Sequence, residues 1–131
     1  MKYLLLIYSN PTRWEHPMFE RDAGFEALSE RERAEVSGEA EVLASELVAS
    51  GELVSGVALG SPARARTVRP VDGLPVVTDG PFGEAKEVLA GYFVLDCESE
   101  RRAVEIASRF PDSRFGAVEV RPVDEVSVFG A

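Results

Sequence analysis

The chain has 131 residues, 45% of them hydrophobic, and a formal net charge of −9; that size and apolar content suit one core, and the charge argues against a directly bound nucleic acid, whose phosphates would meet an unfavourable field. The single cysteine, Cys97, excludes an internal disulfide and fits a reducing compartment. The apolar run Tyr3–Tyr8 is too short for a signal-peptide core or a membrane span, so the expectation is one domain over residues 1–131, cytoplasmic, with no membrane contact.

In chain order, residues 3–8 are leucine, aromatic or β-branched without alternation, which predicts a central strand. Ser9 to Leu28 holds Pro11 and Pro17 and no clean period, so it reads as a long loop or a loop with one helical turn. Ser29 with Glu32 three residues on makes a capping box, and Val36, Ala40, Leu43 and Leu47 then form one helical stripe closed by Gly51. Leu53–Leu59 predicts a second strand, parallel to the first through a helical crossover. Two strand-like runs, 65–71 and 74–78, flank Asp72-Gly73, a strong hairpin signal because both turn positions need positive φ. Residues 91–96 predict another strand. Ser99 caps a second helix, with Ala103, Ile106, Ala107 and Phe110 on one face and Pro111 at its end. Val118–Arg121 alternates as a half-buried strand does, and residues 126–129 would extend or pair with it. The order β-α-β, hairpin, β-α-β is that of an α+β, ferredoxin-like split βαβ sheet with an inserted hairpin and both helices on one face. Its other face needs cover, which predicts a homodimer burying roughly 1,600 Å² or more.

Charge is uneven along the chain. Arg13 to Glu52 carries 11 acids and 4 bases, whereas Leu53 to Val71 carries Arg64, Arg66 and Arg69 and no acid. The loop between the hairpin and the next strand reads Asp79-Gly80-Pro81-Phe82-Gly83-Glu84-Ala85-Lys86-Glu87. This DGPFGEAKE stretch resembles the signature of the YCII-related family, in particular its DGPF subgroup. Met1–Tyr8, Ala49–Leu53, Gly91–Phe93 and Arg114–Pro122 are similar to the family as well, so the resemblance spans most of the chain. It implies a dimeric α+β barrel, in which two ferredoxin-like sheets pack face to face, with a cleft beside a sheet or between subunits. It also implies a functional link to an extracytoplasmic-function sigma factor, and distant relatives with lyase or isomerase chemistry on small cyclic compounds. The shorter YCII branch pairs a histidine with an aspartate; the sole histidine here is His16, in the irregular first loop.

Asp79 closes a strand before a Gly-Pro turn, where it can bond turn amides or project into a cleft as a general base. Glu84, Lys86 and Glu87 form either a solvated charge run or a group able to polarise a carbonyl. Phe82 anchors the loop or stacks on a ligand. Arg66 either protects a strand edge or, with Arg121, clamps an anion, and Trp14 with His16 can act as a lid. The expected catalytic set is Asp79, Glu84, Lys86 and His16, and the expected ligand-binding set is Phe82, Glu87, Arg66, Arg121 and Trp14. No metal site and no cofactor are expected, because zinc spacings, a P-loop, a dinucleotide fingerprint and a GxSxG elbow are all missing. The expected role is an accessory or regulatory protein that binds a small organic molecule, anionic if the arginines clamp it, beside the 79–87 loop. The alternative is a cofactor-free lyase or isomerase using that loop.

Overall fold

The computed structural model of the chain describes residues 1–83 and 86–126. The strands are β1 (Lys2–Ser9), β2 (Leu53–Ala58), β3 (Arg66–Val71), β4 (Leu74–Asp79), β5 (Val88–Asp96) and β6 (Ala117–Pro122); the helices are α1 (Ala23–Glu26), α2 (Glu30–Ser50) and α3 (Glu100–Arg109). Four strands form one sheet in the order β2-β5-β1-β6, and β3 and β4 form a separate two-stranded sheet. Both β1 and β2 pair antiparallel with β5, so β1 and β2 run parallel with β5 between them. This is the ferredoxin-like arrangement expected for the split βαβ order. The hairpin does not join the main sheet.

Local chemistry accounts for the element ends. Ser29 and Glu32 make both bonds of the capping box, and α2 stops at Gly51, whose φ of 77° is left-handed and costs a glycine little. Asp72 and Gly73, at φ 51° and 80°, make the tight turn between β3 and β4. Ser99 caps α3 by accepting from the Arg102 amide. The first loop, for which the sequence has no period, contains a 3-10 turn at Met18–Arg21 and the single-turn α1, capped by Asp22.

One face of the sheet carries Tyr3, Leu5 and Leu95, fully or almost fully buried against Leu43 and Leu47 of α2 and Ala103, Ile106 and Ala107 of α3. Both helices therefore lie on the same face. The cross-strand pairs Leu5↔Phe93 and Leu5↔Val120 extend that face across the centre of the sheet. The opposite face presents Leu4, Leu6, Tyr8, Tyr92 and Val94, all only half-buried. At the sheet edge, Arg102 grips Glu52 through two bonds, Nε to Oε2 at 2.8 Å and Nη2 to Oε1 at 2.9 Å, which ties α3 to the entry of β2.

Candidate functional site

A cleft of about 400 Å³ opens between α2, β2 and the first loop on the helix-bearing side of the sheet. Its origin is side-chain size. Ala40 and Ala44 of α2 face Gly56 and Ala58 of β2 and Ala90 and Gly91 of β5 across it, so small residues on both sides leave unfilled the space that leucines fill further along. Every residue of β2 after Leu53 is exposed, consistent with that strand bordering an open cleft rather than a sealed core. The glycines are needed: a Cβ on Gly91 would stand 2.4 Å from the Val57 carbonyl oxygen, and one on Gly56 would meet the Phe93 ring at 2.8 Å.

The sheet is irregular at this place. The β1–β5 register shifts between Ile7, opposite Gly91, and Tyr8, opposite Leu89, so Ala90 is an extra residue, a β-bulge of the kind that often sits beside functional sites. The Ala90 carbonyl accepts from the Leu59 amide at 2.9 Å. The Leu59 carbonyl in turn takes the Trp14 Nε1–H at 3.0 Å and meets His16 Nε2 at 2.7 Å. A carbonyl only accepts, so that contact makes Nε2 the protonated nitrogen and leaves Nδ1 as the free lone pair of the neutral ring. Trp14 meets the His16 ring edge-on, with centroids 5.9 Å apart, and so holds its orientation.

Among the described residues, the lining includes three titratable ones: His16 at the exposed rim, Asp112 in the 3-10 turn after α3, and Tyr92, whose place opposite Leu6 turns its side chain to the other face of the sheet. Asp112 is half-buried as a residue, yet its carboxyl is enclosed enough that desolvation raises its pKa to about 6; a bond from its own backbone amide opposes the shift, as does the nearby His16 ring when it is protonated. The rest of the lining is mainly apolar, with Leu47, Phe93 and Phe110 among the larger side chains. A proton acceptor with a free nitrogen and a carboxyl that titrates near neutrality can take up and return a proton on a molecule held between them. Among the described residues, no group of three His, Cys, Asp or Glu side chains converges as a metal set would.

The other sequence-selected residues lie elsewhere. Arg66 and Asp79 pair across the hairpin at 3.2 Å, both largely exposed. Phe82 is 74% exposed, with the Arg69 guanidinium 5.1 Å from its ring centroid. Lys86 and Glu87 are exposed, and Glu84 lies outside the described residues, as does most of the run 126–129. Arg121 projects from the face of β6 opposite the helices and meets Glu119 at 3.4 Å. Of the selected set, the structure brings together Trp14 with His16 and Arg66 with Asp79, and among the described residues only His16 lines the cleft. Asp112 was missed, and nothing along the chain signals it, because a turn aspartate after Pro111 gains its setting only from α2, the first loop and the sheet.

The model of the YCII-related domain matches residues 1–127. An uncharacterized protein of Rhizobium meliloti (strain 1021) is 32% identical over 99 residues, which is 74% of this chain and 80% of that protein. The solved structure of 5-chloro-2-hydroxyhydroquinone dehydrochlorinase from Burkholderia phenoliruptrix AC1100, in complex with 2,5-dihydroxybenzoquinone, superposes with a TM-score of 0.47 at 12% identity, over 95% of this chain and 94% of that one. With nearly the whole sequence matched by the family model and a relative aligned along three quarters of it, the chain belongs to the YCII-related domain family.

Proposed function

We propose that this protein binds a small, predominantly apolar organic molecule in the cleft between α2 and β2, with His16 and Asp112 as the groups that exchange protons with it. The observation that carries this reading is the placement of both side chains on one otherwise mainly apolar cleft of about 400 Å³, within the size range of small-molecule sites. Among the described residues, no lysine or arginine lines that cleft, which favours a neutral ligand over the anion that an arginine clamp would select. Where the bound molecule carries an acidic C–H or O–H, His16 Nδ1 accepts the proton and the Asp112 carboxyl donates one to the atom that gains negative charge, the outline of a cofactor-free lyase or isomerase. An accessory binding role uses the same cleft without turnover. We place this activity in a homodimer paired through the half-buried apolar face of the sheet opposite the helices.

A thermal-shift screen of neutral cyclic compounds tests the site. Hits should lose their effect in Ala44→Trp, which fills the cleft, and should weaken in His16→Ala and Asp112→Ala. The loop reading makes the opposite demand. If Asp79→Ala or Lys86→Ala abolishes the hits while the three cleft variants leave them intact, the site belongs to the 79–87 loop and the cleft reading is wrong.

A further inference from the structure

Trp14 stands behind the wall of the cleft. It is not among the described residues that line the cleft, yet it is half-buried and packs against Ile7, Met18 and Ala90, which do line it. His16 is in the opposite position. It lines the cleft but is exposed, on a stretch with neither helix nor strand, so no backbone ladder and little packing hold its ring.

The Leu59 carbonyl joins the two. Leu59 carries the β2–β5 pairing one residue past Ala58, because its amide donates to the Ala90 carbonyl at 2.9 Å, and its own carbonyl is thereby held at the end of the sheet. A carbonyl oxygen has two lone pairs. Trp14 Nε1–H takes one at 3.0 Å and His16 Nε2 meets the other at 2.7 Å, while the indole and imidazole rings meet edge-on at 5.9 Å and 82°. Among the described residues, these two contacts are the only hydrogen bonds that join residues 10–28 to the sheet. Without the indole, the exposed imidazole keeps a single contact to that oxygen, water competes for it, and nothing braces the ring plane.

We propose that Trp14 is a positioning residue: by sharing the Leu59 carbonyl and bracing the ring edge-on, it keeps His16 in the Nε2–H tautomer and leaves Nδ1 as the basic nitrogen. A base that acts on a bound molecule needs a third group to fix its tautomer and orientation. Here the Leu59 carbonyl fills that place and Trp14 is its brace. The tautomer is a property of the unliganded protein; that Nδ1 meets a bound molecule rests on the cleft being the binding site.

The chain has one histidine and one tryptophan, so nitrogen-15 correlation spectra of the imidazole report His16 alone. They are recorded, at a pH where the ring is neutral, for the wild type and for Trp14→Phe, which keeps an aromatic ring in the apolar cluster and removes the N–H. The wild-type ring should be mainly Nε2–H. In Trp14→Phe that preference should fall by about threefold to tenfold, the equilibrium worth of roughly one neutral hydrogen bond, with far-ultraviolet circular dichroism unchanged, and compounds that bind the cleft should weaken. A variant with the wild-type tautomer ratio overturns the proposal, as does a wild-type ring that is mainly Nδ1–H. If the ratio shifts but cleft compounds bind Trp14→Phe and His16→Ala as tightly as the wild type, the clamp stands and it is the cleft reading that fails. Should Trp14→Phe lose its fold, the tryptophan is replaced by benzothienylalanine, its sulfur isostere without an N–H: a shifted ratio supports the clamp, and an unchanged one overturns it.

Discussion

Asp112 shows how far burial moves a single group. Its pKa of about 6 stands above the ordinary carboxylate value of 3.8 because desolvation penalises the charged form. A carboxyl with a raised folded-state pKa binds more protons folded than unfolded between those two values, so its destabilising effect grows as pH rises through the window and is complete above about 6. Asp112→Asn should therefore stabilise the protein at pH 8, by at most about 3 kcal/mol, and change little at pH 3. Urea denaturation of both proteins at the two pH values measures this. His16 is a counterpart that the chain itself reveals, as the sole histidine. Its protonated nitrogen is set by the Leu59 carbonyl, a partner 43 residues away.

At the scale of elements, glycines of opposite worth sit in α2 and β5. Gly38 has nothing within 4 Å of where a Cβ would go and lies inside a helix, so Gly38→Ala should stabilise by about 0.5–1 kcal/mol. Gly91→Ala drives a methyl onto the Val57 carbonyl; it should cost about 1–3 kcal/mol and weaken cleft ligands by prising β2 from β5. Thermal melts of the two variants should move in opposite directions. The Arg102 fork holds Glu52 down to a pKa of about 2, against the desolvation that opposes it, with help from the Ser50 hydroxyl. That contribution is present above the unfolded pKa near 4.5 and is lost as pH falls toward 2. Glu52→Gln should cost about 1–2 kcal/mol at pH 7 and much less at pH 2, read by denaturation at each pH. Element identity was legible because capping, periodicity and turn chemistry are local. The first loop was not, since its 3-10 turn buries Met18 and Phe19 against other elements without a repeat to announce it.

For the whole molecule, the sheet has one face covered by helices and one bare. Leu6 and Tyr92 pair directly on the bare face, and a lysine in place of Leu6 would put a charge at the centre of any sheet-to-sheet contact, where it goes unpaired. Leu6→Lys should raise the dissociation constant of the proposed homodimer by about a hundredfold and leave the fold of each copy intact, which sedimentation together with circular dichroism would show. Among the described residues, no helix is long and apolar enough to cross a membrane. The 79–87 loop, prominent in the sequence for its Gly-Pro turn and its charges, leads from the hairpin back into β5, and its described side chains are largely exposed.

The α+β class, the two long helices, the hairpin turn at Asp72-Gly73 and the order of strands follow from the sequence by itself, because each rests on interactions within a few residues. The detachment of the hairpin from the main sheet, the bulge at Ala90 and the cleft were decided by tertiary structure. Small residues on α2, β2 and β5 leave a space only when those elements face each other, and Asp112 acquires its raised pKa only when α2, the first loop and the sheet close around it. Burial is a property of the assembled fold, and the chemistry of this site depends on burial.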